Sequence, residues 1–183
     1  MNRRNAVLAL ALSAFLGAAP AARAADDDTV FLDTKDGRVT IQLRPDLAPK
    51  HVQQIKTLVG QGFYNGLKFH RVMEGFMAQT GDPNGNGTGG SSLPNIPAEF
   101  SSTPFTRGTV GMARSSDPNS ANSQFFICLA DAPFLNGKYT VVGTVTSGME
   151  AVDKIKKAER NAAGGAVQNP DKIVTMQLAG KAR

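Results

Sequence analysis

The chain has no tryptophan, one cysteine, two histidines and two tyrosines among its 183 residues. A single cysteine cannot form a disulfide, so a fold stapled by paired cysteines is excluded. Cys128 lies within the apolar run Phe125-Phe126-Ile127-Cys128-Leu129 and reads as a buried, inert thiol, because no helix N-terminus or basic partner accompanies it. His51 and His70 pair with neither the cysteine nor each other at ligand spacing, which argues against a metal site. No G-x-S-x-G and no P-loop occur, so two common enzyme classes drop out. Carboxylates are sparse in the apolar middle of the chain. Glu74 falls in a turn and Glu99 in a loop, and the two working acids of a hydrolase are hard to assemble from them. No run of Lys or Arg supports nucleic-acid binding. No internal repeat is visible beyond Asp-Pro-Asn at 82–84 and 117–119, which is turn chemistry.

What is present begins with an export signal. Arg3 and Arg4 precede an apolar run from Ala6 to Ala19 broken only by Ser13 and Gly17. Pro20 and the small-residue pattern Ala22-Arg23-Ala24 follow, then Asp26 to Asp28. This order predicts a secretory signal peptide over 1–24, cleaved after Ala24. The apolar run is shorter than the about 20 residues a bilayer span requires, so no membrane attachment is expected after cleavage. Arg3-Arg4 also raises twin-arginine export, but no further feature of that signal is clear, and ordinary secretion to the periplasm is the expectation. The formal charge of +5 includes three arginines and no acids in 1–24, leaving +2 on the mature chain. Residues 25–183 are expected to form one domain, large enough to bury roughly two-thirds of its unfolded surface without staples. With no heptads, a monomer is the default.

Period-2 alternation of Val39, Ile41 and Leu43 with Thr40, Gln42 and Arg44 predicts a half-buried strand, and Asp36-Gly37 a hairpin turn before it. From Pro49 to Gly60 the period changes: Val52, Ile55 and Val59 share one helical face, on which reading His51 is a solvated surface residue. Extended segments follow at 67–73 and 76–79, then a glycine-rich stretch at 81–90 that reads as a structured surface loop. Further strands are expected at 109–113, 124–129, 139–145 and 173–178, with a second short helix marked by Met149, Val152 and Ile155. Seven or eight short strands and only two helices predict a mainly β fold, a closed antiparallel barrel capped by helices. Pairing of first and last strands would be one way to close it.

One residue in this frame is chemically conspicuous. On a period-2 strand Phe69, Arg71 and Met73 share a face, with His70 and Val72 on the other. A guanidinium beside Phe and Met is costly to desolvate unless something uses it. Spacing alone leaves two readings open, a structural arginine that snorkels or pairs, and a functional one.

Several blocks resemble the signatures of the cyclophilins: FHRVMEGFMAQTGD (69–82), NGTGG (86–90), GMAR (111–114), SQFFIC (123–128), FLNGK (134–138) and VVGTV (141–145), in that order. The resemblance spans about residues 29–179. It implies an eight-stranded antiparallel barrel with two capping helices, and peptidyl-prolyl cis/trans isomerisation without metal or cofactor. Arg71 matches the family's catalytic arginine. Phe76, Met77, Phe126 and Leu135 match the pocket for the substrate proline ring, and Gln79 the polar residue beside the arginine. Ala113, Arg114 and Gln124 match the wall that holds the substrate backbone, and Gly87 a groove residue. Arg114 stands where the family more often has Asn; a main-chain role there would tolerate the change. His70 matches a structural position rather than a proton-transfer group. Phe134 replaces the family's tryptophan and Tyr139 its histidine near the pocket. Without the indole N–H, weak cyclosporin binding is expected. Proline-containing segments of exported proteins are the implied partners. A module that holds such segments with little turnover is the competing reading; a barrel for small ligands has only architecture in its favour.

Overall fold

The computed structural model describes residues 27–182; the expected signal peptide at 1–24 lies outside the described residues. Strands β1 (Thr29–Thr34) and β2 (Gly37–Leu43) form the expected hairpin, with Thr34 opposite Gly37. Their alternate residues Val30, Leu32, Val39, Ile41 and Leu43 enter the core. Helix α1 (Pro49–Gly60) carries Pro in its first turn, where a missing N–H is harmless. It buries Val52, Ile55, Leu58 and Val59 in the main apolar cluster beside the last strand. Then come β3 (Arg71–Met73), β4 (Met77–Thr80), β5 (Thr109–Met112), β6 (Phe125–Cys128), β7 (Val141–Ser147), helix α2 (Met149–Lys154) and β8 (Thr175–Leu178). The chain enters α2 through Gly148 at φ +86°, where a Cβ would land on the Arg38 carbonyl oxygen, so no other residue fits.

All eight strands lie in one antiparallel sheet, ordered β3-β4-β6-β5-β7-β2-β1-β8. The sheet curls but does not close, so the expected closed barrel is corrected to an open half-barrel. First and last strands do pair, β1 with β8, yet that contact leaves β3 and β8 as the edges. These edge strands are only three and four residues long. The segments beside them touch through an isolated bridge between Lys68 and Lys172 and through Phe69 N–H to the Asp171 carbonyl (2.9 Å), not through a continuous ladder.

The sheet is apolar on both faces at its centre. Ala78, Phe125, Ile127 and Val110 point into the main core under the helices. Met77, Phe126 and Cys128 point the other way, into a second cluster with Phe105, Leu135 and Val141. Cys128 is fully buried there, and burial, with Asp131 nearby, pushes its thiol up to about 12, as expected of an inert sulfur.

Two sequence expectations fail for local reasons. His51 is buried, not solvated: it stands four residues before Ile55 and seven before Leu58, on the same helical flank. Glu99 reaches in from the long loop, taking Nδ1 of His51 at 2.6 Å and the backbone N–H groups of Lys50 and His51 at 3.2 and 3.1 Å. It thereby caps the first turn of α1, which has no capping side chain of its own. The second failure is the face shared by Phe69, Arg71 and Met73. The β3–β4 ladder begins only at Arg71, so alternation does not extend back to Phe69. Phe69 enters the main core, while His70 turns to the same side as Arg71.

Burial lowers the basicity of both histidines against the pull of Glu99 on His51 and of Asp82 on His70. On unfolding, each imidazole regains an ordinary value of about 6.5 and binds protons that the folded form refuses. Stability should therefore fall as pH drops through about 6.5 toward 5. Urea midpoints between these limits test this, with a shallower decline for His51→Gln; a flat wild-type profile would rule out buried neutral imidazoles.

Candidate functional site

On the outer face of the sheet one row of residues runs across four strands. Register places Arg71 (β3) beside Gln79 (β4), Gln79 beside Phe126 (β6), and Phe126 beside Gly111 (β5). A parallel row sets Met73 beside Met77 and Met77 beside Cys128. The apolar half of this surface is the floor of a cleft of about 850 Å³. Phe126 lies stacked on Phe105 at 5.8 Å and edge-on to Tyr139 at 5.9 Å. Gly111 makes that stacking possible, since a Cβ there would come within 2.6 Å of both Phe105 and Phe126. Leu135, from the short 3-10 turn Pro133–Leu135, closes one end, and Phe76 meets Phe134 at 5.3 Å on the rim. Phe134 is 59% exposed, an apolar lip rather than a floor.

The polar half is a directed chain of hydrogen bonds. Arg71 donates from Nε to the Gly164 carbonyl at 2.7 Å, from one Nη to Gln79 Oε1 at 3.2 Å, and from the other to Met73 Sδ at 3.5 Å. Gln79 in turn donates from Nε2 to Gln124 Oε1 at 2.8 Å. Gln124 donates from its own Nε2 to the carbonyls of Gly87 (3.1 Å) and Gly89 (2.8 Å). Because two carbonyl acceptors fix the amide of Gln124, its oxygen must face Gln79, and the oxygen of Gln79 must face Arg71. A guanidinium has five N–H groups; the three that are spent hold its plane, and the others remain for a ligand.

The loop at the far end of this chain is ordered by one carboxylate. Asp82 is 1% exposed and accepts the backbone N–H groups of Asn84 (2.8 Å), Asn86 (2.9 Å) and Gly87 (2.5 Å). Burial alone would raise its pKa, but these three donors outweigh that and hold it below the usual carboxylate range. The glycine-rich segment is thus a structured loop, as expected, and Gly87 lies on the cleft.

The structure therefore gathers around one cleft Arg71, Phe76, Met77, Gln79, Gly87, Ala113, Arg114, Phe126, Phe134, Leu135 and Tyr139. Gln124 joins through the amide chain and lines an adjoining polar hollow of about 320 Å³. Arg114 lines both and lies 4.5 Å over the Tyr139 ring. Sequence reasoning missed three contributors. Ala163, Gly164, Ala166 and Val167 wall the cleft beside Arg71, and Gly164 supplies its strongest acceptor. Their only sequence signal is a run of small residues, Ala162 to Ala166. Phe105, which backs the floor, sits in a loop with no periodicity to mark it. His70 lines the cleft with its ring close to Gln124 and the Lys68 backbone, though neither ring nitrogen makes a well-aligned hydrogen bond among the described residues. Among the described residues no Asp or Glu lines the cleft, and no group of three or more His, Cys, Asp or Glu could hold a metal ion.

Comparison with known proteins places the chain in one family. The family model described as cyclophilin type peptidyl-prolyl cis-trans isomerase matches residues 29–178. A probable peptidyl-prolyl cis-trans isomerase of Brucella suis is 62% identical, with 93% of each chain covered. Peptidyl-prolyl cis-trans isomerase-like 1 of Aspergillus fumigatus is 42% identical over 73% of this chain and 84% of its own. Among solved structures, a cyclophilin from Hirschia baltica superposes with a TM-score of 0.76 at 27% identity, covering 86% of this chain and 76% of that one. A cyclophilin type peptidyl-prolyl cis-trans isomerase of Cryptosporidium parvum, crystallised in the presence of the dipeptide Ala-Pro, gives 0.74 at 27% identity, covering 82% and 98%.

Proposed function

The chain belongs to the cyclophilin-type peptidyl-prolyl cis-trans isomerases, and from that premise we propose that Arg71 is its catalytic residue and that exported polypeptides are its substrates. The observation that carries the assignment is the fixed guanidinium of Arg71, tied at 2.7 Å to Gly164 and at 3.2 Å to Gln79 on the edge of an aromatic floor.

The reaction breaks no covalent bond. Its barrier of ~18–20 kcal/mol is the resonance of the amide, and uncatalysed X-Pro exchange takes tens to hundreds of seconds. A catalyst must favour the twisted amide, in which the prolyl nitrogen becomes pyramidal and recovers a lone pair. Phe76, Met77, Phe126 and Leu135 hold the proline ring while the preceding carbonyl rotates. Arg71 donates an N–H to the prolyl nitrogen, an acceptor that exists only in the twisted state, so the bond selectively stabilises the transition state. The amide chain through Gln79 and Gln124 supplies preorganisation, since Arg71 need not search for its orientation when substrate binds. Gln79, Gln124 and the wall at Ala113 and Arg114 hold the flanking peptide, and Gly87 permits its close approach. No proton is transferred, so neither an acid nor a base is required in the cleft. The Ala-Pro dipeptide associated with the Cryptosporidium relative is in keeping with a small apolar proline pocket.

Removing a donor aimed at the transition state costs on the order of 100-fold in rate. Arg71→Ala should show a loss of that order in kcat/KM in a proline-peptide isomerisation assay, with unchanged circular dichroism. Arg71→Lys should recover only part, because a point-charge ammonium cannot bond Gly164, Gln79 and substrate with one planar fork. Near-wild-type turnover by Arg71→Ala would sink the assignment.

At the rim, Phe134 presents a ring with no N–H and Tyr139 is engaged by Arg114. Cyclosporin should inhibit weakly, and Phe134→Trp should strengthen inhibition; a nanomolar constant for the wild type would contradict this.

The substrate class follows from residues 1–24, read as a cleavable signal that delivers the domain to the periplasm to assist folding there. Mass spectrometry of protein recovered from the periplasm should find Ala25 at the N-terminus; a chain retained in the cytoplasm with residue 1–24 intact would refute export.

A further inference from the structure

Two guanidiniums stand on the cleft, and neither is neutralised by a carboxylate. Arg71 spends its donors on a carbonyl, an amide oxygen and a thioether. Arg114 spends its own on the carbonyls of Ser115 (2.9 Å) and Lys138 (3.0 Å), with its face over Tyr139. Among the described residues neither arginine takes part in an ion pair. Among the described residues no Asp or Glu lines the cleft or the adjoining polar hollow. Glu74, the acid nearest Arg71 in sequence, lies in an exposed turn and pairs with neither arginine; Asp82 is buried under its three backbone donors, and Asp117, the acid nearest Arg114, accepts the Asn119 N–H at 2.9 Å. Both walls of the peptide path are thus cationic and uncompensated.

Arg114 occupies the decisive place. It is half-buried and, of the four residues that line both the apolar cleft and the polar hollow (Gln79, Gly87, Ala113 and Arg114), it alone carries a charge, so a peptide that runs from one to the other passes beside it. Bonds to carbonyls on two segments and the stack on Tyr139 hold its plane, so little ordering remains to be done when a ligand arrives. Carbonyl partners orient a guanidinium without cancelling its charge.

We propose that Arg114 gives this isomerase a preference for X-Pro segments that carry a side-chain carboxylate within two residues of the proline, over segments that carry an ammonium there. The proposal rests on the reading of the cleft as the isomerase site. A partly exposed ion pair changes an equilibrium by about two- to five-fold, and a lysine at the same position loses a similar factor to repulsion.

The test uses the mature protein and peptides with Glu, Gln or Lys at each of the two positions on either side of proline. At one position or more, kcat/KM should rank Glu above Gln above Lys, by about two- to five-fold per step. The Glu-to-Lys ratio should collapse in ~1 M salt, where the screening length is about 3 Å. It should approach unity in Arg114→Gln and invert in Arg114→Glu. Each ratio comes from one preparation, so a partly folded variant does not distort it. Equal Glu and Lys rates at every position in the wild type would overturn the proposal, as would a ratio unchanged in Arg114→Gln. Turnover of the Gln peptide, lost in Arg71→Ala, reports separately on the isomerase reading. Were peptides bound but not turned over, that reading would fail, and dissociation constants from calorimetry would decide the preference: the same order supports it, equal constants refute it.

Discussion

The site depends on one cross-strand row. Adjacent strands lie about 4.8 Å apart, and antiparallel register aligns Arg71, Gln79, Phe126 and Gly111 side by side on the outer face. Everything that follows is a consequence of that alignment. Arg71 and Gln79 are close enough to bond because they are ladder partners. Phe126 stands next to the polar pair because it is the following partner. Gly111 leaves the space in which Phe126 and Phe105 stack. A one-residue slip of β4 would turn Met77 and Gln79 into the core and bring Ala78 and Thr80 to the cleft. The main core prevents it, because Ala78 and Ile127 are buried on the opposite face.

Two apolar clusters, one on each face, explain why so short a strand set is held so firmly. β4, β5 and β6 have four residues each, and β5 and β6 are buried along their whole length. Strands buried on both faces usually belong to sheets covered by helices. Here the helices cover one face only. The other is covered by irregular chain, including Phe105 and the turn at Pro133–Leu135. That irregular cover is incomplete, and the gap it leaves is the cleft.

The polar side of the cleft is organised by hydrogen bonds whose direction is determined. Asp82 orders the loop, the loop carbonyls orient Gln124, Gln124 orients Gln79, and Gln79 orients Arg71. Each link uses a group with only one role available to it, a carboxylate that accepts or a guanidinium that donates, at the ends of two amides that can do both. No acid among the described residues lines the cleft. On the mechanism proposed above, a carboxylate beside Arg71 would pair with it and compete with the neutral nitrogen of a twisted amide. Arg71 and Arg114 share this lack of an ion-pair partner among the described residues.

Much of this was legible in the chain itself. Strand positions, the two helices, the turn at Asp36-Gly37 and the inert Cys128 followed from period, turn chemistry and composition, because those signals act locally. The ordered blocks around Arg71 marked the cleft residues, and every one of them is found on the cleft or its amide chain. The misses share a cause. His51 looked solvated because its partner Glu99 is 48 residues away. Phe69 left its expected face because the ladder starts two residues later, and ladder limits depend on the neighbouring strand. Gly164, the strongest partner of Arg71, lies 93 residues from it. The sheet is open, with edge strands of three and four residues that meet only through an isolated bridge and single hydrogen bonds, contacts made between segments far apart in the sequence. Sequence by itself determined where most of the strands and both helices run and which side chains are candidates for the cleft, since backbone preference and alternation are properties of neighbours. Only the tertiary structure decided what surrounds Arg71, because that turns on what meets it through space: neutral acceptors that hold its plane and, among the described residues, no ion pair.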